Sequence, residues 1–345
     1  MVMNNTTSLF PVDLVYTWVN DQDPNWQSKK NKYLAHISTE TSAIENDSIG
    51  EGRFKNSDEL KYSLRSIAQY CPWVNNIYIV TDGQTPAWLN TDDEKIHIID
   101  HKEIFPDTSV LPTFNSMAIE SCLHFIPNLS EHFIYFNDDF FVGRPLDVDF
   151  FFELSGQPRF FVTKDKHKFS PDKLLESGTL KNVTIYHQVI MCARARIFKY
   201  TNKLIRNEPA HIAKCFTKSQ LMGYESRFED EINLTRSNRT RQQTDIYLAA
   251  LDSFYQQANG ILGTKLKRLK ASSWLSNIWG RQGESYVHIN LNTKLKKLDK
   301  TFAIISKLNP AMYCINDGTG TEQKARDKMV TFLEEQFPMK SQFEN

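Results

Sequence analysis

Four short apolar runs, separated by stretches of helical periodicity, fill the first 140 residues. Val12–Trp18, Ile77–Thr81, Ile96–Asp100 and Phe133–Asn137 are brief and rich in β-branched and aromatic residues, which predicts buried strands. Between the first two, Asn56–Tyr70 places Leu60, Leu64 and Ile67 at helical spacing. Asn56 and Glu59 give it a start signal and Cys71-Pro72 a stop. Asn115–Ile126 predicts a second helix before the last of these strands. Strands alternating with helices on short links specify an α/β fold: a Rossmann-like, mostly parallel sheet flanked by helices. Beyond residue 150 the alternation weakens. Arg159–Val162 and Gln188–Cys192 predict further strands and Asp245–Gln257 a helix, so the C-terminal part is expected to be mixed and more helical.

Bulk properties exclude several classes. A chain of 345 residues is ample for a real core. Acidic and basic residues balance at 41 each, whereas a nucleic-acid binder carries a basic excess, so no nucleic-acid partner is expected. The five cysteines, Cys71, Cys122, Cys192, Cys215 and Cys314, are scattered without a C-x-x-C pair. That pattern predicts reduced thiols, neither a zinc site nor a disulfide framework. No basic-then-apolar leader opens the chain, and no apolar run approaches the ~18–20 residues of a membrane span, so a cytoplasmic protein is expected. The stretch 265–281 combines Lys265, Lys267, Arg268 and Lys270 with Trp274, Leu275, Ile278 and Trp279. It reads either as a solvated helix with one core face or as a segment peripheral to an anionic membrane surface.

The strand Phe133–Asn137 ends in Asn137-Asp138-Asp139. Strands of α/β sheets deliver reactive groups at their carboxyl ends, and adjacent carboxylates there can hold a divalent cation. The alternative is a polar turn after a buried strand. Asp21-Gln22-Asp23 after the first strand is a competing metal candidate, with a loop turn before Pro24 as the favoured reading. Asp13 reads as a buried structural carboxylate. Asn316-Asp317 either closes the site from the C-terminal side or forms a turn with Gly318.

Several blocks are recognisable in order: Asp13-Leu-Val-Tyr-Thr-Trp-Val-Asn20, Arg53-Phe-Lys-Asn-Ser-Asp-Glu-Leu-Lys-Tyr-Ser-Leu-Arg-Ser66, Ile77-Tyr-Ile-Val-Thr-Asp-Gly-Gln84, Leu111-Pro-Thr-Phe-Asn-Ser116, Tyr135-Phe-Asn-Asp-Asp139 and Cys314-Ile-Asn-Asp317. Together they resemble the Stealth family of bacterial capsular-polysaccharide phosphotransferases, to which the catalytic subunit of the lysosomal-enzyme GlcNAc-1-phosphotransferase is related. The resemblance implies one catalytic domain over 11–345 after a loose N-terminus at 1–10. Its half 11–160 would hold nucleotide-sugar and metal, and its half 161–345 would complete the active site. It implies transfer of a sugar-1-phosphate, an N-acetylhexosamine-1-phosphate, from a UDP-sugar to an acceptor glycan hydroxyl, releasing UMP. A metal-dependent glycosyltransferase releasing UDP and a non-catalytic glycan-binding member of a capsule assembly complex are the alternatives.

The same resemblance implies the site. Asp138 and Asp139 would hold Mg²⁺ or Mn²⁺. His211, ahead of a helix, would take the acceptor proton, with Arg241 stabilising phosphate charge and Asp139 also catalytic. Trp18, Asn20, Arg65, Asn115, Asn137 and Asp245 would bind the nucleotide-sugar and its phosphates. The chain departs from the eukaryotic pattern after His211, where Ala213 and Lys214 replace a Pro and a second His.

Overall fold

A computed structural model describes residues 9–35, 54–164, 184–269 and 285–345. The expectations for residues 1–8 and for residues 270–281 of the basic stretch lie outside the described residues.

The predicted alternation forms a five-stranded sheet. β1 (Val12–Thr17), β2 (Ile77–Thr81), β3 (Ile96–Asp100) and β4 (His132–Asn137) run parallel in the order β3-β2-β1-β4. β8 (Lys214–Thr217) adds antiparallel at the β4 edge. Side chains alternate between two cores. Val15, Tyr78, Val80, Phe133 and Tyr135 face one, while Leu14, Tyr16, Ile77, Ile79, Ile134 and Phe136 face the other. A sheet buried on both faces requires these unbroken apolar strands.

Helix α1 (Pro24–Leu34) is N-capped by the Asp23 carboxylate, which accepts from Trp26 N. Helix α2 (Glu59–Tyr70) buries Leu60, Leu64 and Ile67 as the periodicity predicts, but it begins three residues later than expected. Asn56 Oδ1 accepts from Asp58 N instead of capping the helix. The other predicted helix, Asn115–Ile126, divides into α4 (Ser116–Glu120) and a 3₁₀ turn at Leu123–Phe125, following the four-residue α3 (His101–Ile104). The strand expected at Gln188–Cys192 is corrected to the middle of helix α5 (Ile185–Thr201). Its apolar run is too short to reveal a period, and the buried positions Val189, Ala193 and Ile197 continue at helical spacing beyond it. The strand expected at Arg159–Val162 lies slightly later, as β6 (Phe161–Lys164). Helices α6 (Lys218–Arg227), α7 (Glu229–Ser237) and α8 (Leu248–Ala258) pack over the β1–β4 sheet.

A second sheet, β10-β11-β12-β5, joins β10 (Lys267–Arg268), β11 (Ser285–Asn290) and β12 (Met312–Asn316) in parallel, with β5 (Phe140–Val142) antiparallel. Helices α9 (Leu295–Leu308) and α10 (Gln323–Gln336) bury Leu298, Phe302, Met329 and Phe332 against it. Only Asp138 and Asp139 separate β4 of the first sheet from β5 of the second. Short strands β7 (Asn207–Pro209) and β9 (Thr264–Lys265) flank β6.

Candidate active site

Strand order reverses between β1 and β4, and at such a switch point the connections leaving the carboxyl ends part to leave a crevice. Thr17 and Asn137 are paired at that point. A cleft of about 1950 Å³ opens above them, lined by Trp18 after β1, Asp82 after β2 and Asn137-Asp138-Asp139 after β4. The second sheet supplies the opposite wall through His288, Asn290, Asn316 and Asp317.

The floor is acidic. Burial, then the neighbouring Asp139 charge, pushes the Asp138 carboxyl up to about 7. Burial pushes Asp139 up to about 6, and Glu59 to about 8 with a further contribution from Asp138. Asn137 Oδ1 and Asp139 Oδ1 are buried with no hydrogen-bond partner among the described residues. The Cys314 thiol donates to Asp139 Oδ2 at 3.3 Å. Clustered oxygen donors lacking enough protein donors or cations fit a hard divalent cation, which takes carboxylate and amide oxygens.

The facing wall is cationic. On β8, Lys214 lies opposite Tyr135, its ammonium 4.8 Å from that ring, 5.2 Å from Phe140 and 5.6 Å from Tyr247. Burial lowers its pKa, against the pull of Glu120 and Asp139. Arg241 donates to Ser116 Oγ. Glu120 is buried beneath both cations, its carboxyl raised by burial despite their charges. His211 Nδ1 lies 3.1 Å from the Tyr186 hydroxyl, and its ring meets Phe140 edge-on at 5.3 Å. Burial, reinforced by His288, Lys214, Arg241 and Arg268, lowers the His211 pKa well below its ordinary value, so the ring is neutral at pH 7.

The cleft therefore gathers Asp138, Asp139, Asn137, Trp18, His211 and Arg241 from distant parts of the chain. Four other expected site residues are not among those lining the cleft, and each is held by protein partners. Arg65 is bound bidentately to Glu344, at 2.8 and 2.7 Å, and donates to Phe337 O. Asn20 is clasped by Gln84, which accepts from its N–H and donates to its carbonyl. Asn115 caps α4 and donates to Asp245 Oδ2 at 2.7 Å. Asp245 also accepts from Asn238 Nδ2 and Gln242 N. This buried Asn115–Asp245 pair shapes the loop that carries Arg241 without facing the cleft itself. Asp21 accepts from Asn56 N and Asp23 caps α1, so neither lines the cleft. Asp13 is the buried structural carboxylate expected, accepting from Asn75, Asn76 and Ser130. Asp317 lines the cleft, but its carboxylate is held by Arg326 at 2.6 Å.

Sequence reading missed Lys214, Glu120, Glu59, Asp82 and His101 as cleft residues. Asp82-Gly83 reads as a turn, yet it follows β2 just as Asp138 follows β4. Asp82 Oδ2 and His101 Nδ1 are buried without partners among the described residues, and burial pushes His101 down to about 4.

Fold and cleft together define a class: an α/β protein with a charged ligand cleft at the topological switch point. Family comparison makes the class specific. Residues 10–38 match Stealth protein conserved region 1 and residues 53–160 match conserved region 2. The chain thus carries both Stealth conserved regions, in that order. Exopolysaccharide phosphotransferase CpsY of Mycobacterium tuberculosis is 32% identical over 97% of this chain and 58% of its own length. Capsular polysaccharide phosphotransferase fcs1 of Haemophilus influenzae is 41% identical over 69% of this chain and 63% of its own. Capsular polysaccharide phosphotransferase LcbA of Aeromonas hydrophila is 50% identical over 50% of this chain and 46% of its own. The chain thus spans less than two thirds of the length of each of these relatives. A solved structure of galactosyltransferase LgtC, in complex with donor and acceptor sugar analogs, overlaps over 94% of this chain and 95% of its own at 10% identity, with a TM-score of 0.41. An overlap that loose carries no argument. Among the described residues, no helix is long and apolar enough to cross a membrane.

Proposed function

We propose that this chain transfers a sugar-1-phosphate, an N-acetylhexosamine-1-phosphate, from a UDP-sugar to a glycan hydroxyl in capsular or surface polysaccharide synthesis. The acceptor oxygen forms a bond to the phosphorus next to the sugar. The P–O bond to the departing UMP breaks, and the anomeric C–O bond stays intact. One observation carries the reading: His211, Lys214 and Arg241 converge on the cleft that exposes Asp138 and Asp139. The printed names of the relatives, phosphotransferases of exopolysaccharide and capsule, support the reaction class.

Asp138, Asp139 and Asn137 would hold Mg²⁺ or Mn²⁺, which supplies charge neutralisation at the pyrophosphate when bound. Neutral His211 accepts the hydroxyl proton, and the Tyr186 hydroxyl at Nδ1 orients its ring. Lys214 and Arg241 stabilise charge on the transferring phosphoryl oxygens, an effect strengthened by their burial. At the other end of the sheet edge, Asp82 after β2 stands two strand spacings, about 10 Å, from Asp138, and His101 after β3 stands one spacing further. An acidic group after β2 is placed to accept from a ribose hydroxyl, and Trp18 lies between the two ends.

The test is incubation with UDP-N-acetylhexosamines, an acceptor oligosaccharide and Mg²⁺, followed by ³¹P NMR. A phosphodiester resonance with equimolar UMP is expected. UDP release with a phosphate-free product would overturn the reading in favour of ordinary glycosyl transfer.

A further inference from the structure

Behind the acidic floor stands a second group of ligands with different chemistry. His288 and Cys314 are register partners on the parallel strands β11 and β12, so both side chains rise from the same face of the second sheet. His211, in the loop before β8, lays its ring 4.8 Å from that of His288. A ring nitrogen of each histidine and the Cys314 sulfur all lie within 4.8 Å of one another. We propose that His211, His288 and Cys314 form a binding site for a thiophilic divalent cation of the Zn²⁺ type, and that its occupancy switches off the proton acceptor of the cleft.

The donor set selects the ion. Two imidazoles and a thiolate suit zinc-like ions, whereas Mg²⁺ prefers the oxygens of Asp138 and Asp139. Tetrahedral Zn–N and Zn–S bonds of ~2.0–2.3 Å separate neighbouring ligand atoms by about 3.5 Å, so the triad closes with side-chain shifts of about 1 Å. Asp139, already 3.3 Å from Cys314 Sγ, stands next to the fourth position. Lys214, Arg241 and Arg268 oppose an added cation. They keep His211 unprotonated with a lone pair to give, whereas burial and Asp139 hold the Cys314 thiol well above its ordinary value despite Lys214, so the cation itself must displace that proton. On binding, the Cys314 thiol proton leaves to solvent, so one proton is released per ion. The cysteine pattern hides such a site because its ligands sit 77 residues apart between His211 and His288, and are joined only by the fold.

The binding half of this inference stands alone; the inhibitory half rests on the proposed reaction. Titration of the metal-free full chain with Co²⁺ is expected to fill one equivalent. It should show a thiolate-to-cobalt charge-transfer band that Zn²⁺ displaces and excess Mg²⁺ does not. Cys314→Ser should abolish the band, and His288→Gln should weaken Co²⁺ binding at least tenfold, with thermal melts of the metal-free variants reporting folding. Asp138→Asn should leave the band in place. A cobalt spectrum without thiolate character, or wild-type affinity in His288→Gln, which replaces a partly exposed side chain, would overturn the site. In the transfer assay at saturating Mg²⁺, Zn²⁺ should inhibit wild type at least tenfold more strongly than His288→Gln. A full charge-transfer band without inhibition would refute the switch while leaving the site.

Discussion

Arg65→Met separates a phosphate-binding arginine from a structural one. The Arg65 guanidinium makes two hydrogen bonds to Glu344, donates to Phe337 O and lies over the Tyr62 ring at 5.2 Å. The side chains of Arg65 and Glu344 are 11% and 3% exposed, so this is a buried pair fastening the C-terminal tail to α2. Removing one partner of such a pair strands the other charge, at a cost of about 3–5 kcal/mol. At about 2 °C per kcal/mol for a chain of this size, Tm should fall by about 6–10 °C. Arg65→Met/Glu344→Leu, which removes both charges, should recover most of that loss. The effect should depend on pH. Burial raises the Glu344 carboxyl, but the bonds from Arg65 and Ser341 outweigh it and hold the group below its ordinary range. A depressed carboxyl stabilises the fold above its unfolded pKa, and that stability disappears as pH falls through the folded value. The gap between wild type and Arg65→Met should therefore be full at pH 7 and narrow progressively in acid below pH 4.5. Thermal melts read stability, and calorimetric titration with UDP should give affinities within threefold of wild type. A variant that melts like wild type yet binds UDP tenfold more weakly would refute the structural role.

Further outcomes follow from the cleft and from the loop that carries Arg241. Asp138→Asn and Asp139→Asn should each abolish Mn²⁺ binding seen by electron paramagnetic resonance and lower transfer by at least about 100-fold. His211→Ala should keep donor affinity within about threefold while turnover drops by about 10²–10⁴-fold, which single-turnover kinetics would measure. Because burial and neighbouring cations lower its pKa well below 6.5, His211 stays in the active, neutral form down through that pH. At saturating Mg²⁺, no acid limb with the ordinary histidine pKa should appear in the pH–rate profile. Lys214→Met should cut turnover by about 10²–10³-fold with less effect on KM, reflecting charge stabilisation during transfer. Asp245→Ala should leave Asn115 and Asn238 without their buried acceptor, costing about 1–3 kcal/mol of stability in thermal melts.

What the sequence discloses depends on how far apart the interacting residues lie. The four parallel strands are legible because each is a continuous apolar run covered on both faces, and α2 because its period repeats within twelve residues. Gln188–Cys192 misleads because five residues cannot distinguish a buried helix from a strand. The Arg65–Glu344 pair is illegible for a different reason: the partners lie 279 residues apart, and an arginine at a helix end carries no mark of having one. Lys214 shows the converse. Its local signal is a departure from an expected motif, yet pairing with Tyr135 across β4 and β8 turns it into the cation facing Asp139. Asp138 and Asp139 sit between these extremes. They are a turn, as a local reading has it, because they are the only link between β4 and β5. That turn is also the seam between two sheets. Asp139 O accepts from Ile315 N of the second sheet while Asn137 remains paired with Thr17 of the first. A substitution that spares the backbone there should silence the cleft with little loss of fold, whereas an insertion should separate the walls. The proposed cation ligands and the junction between the sheets are the same two residues, a coincidence that only the sheet pairing brings out.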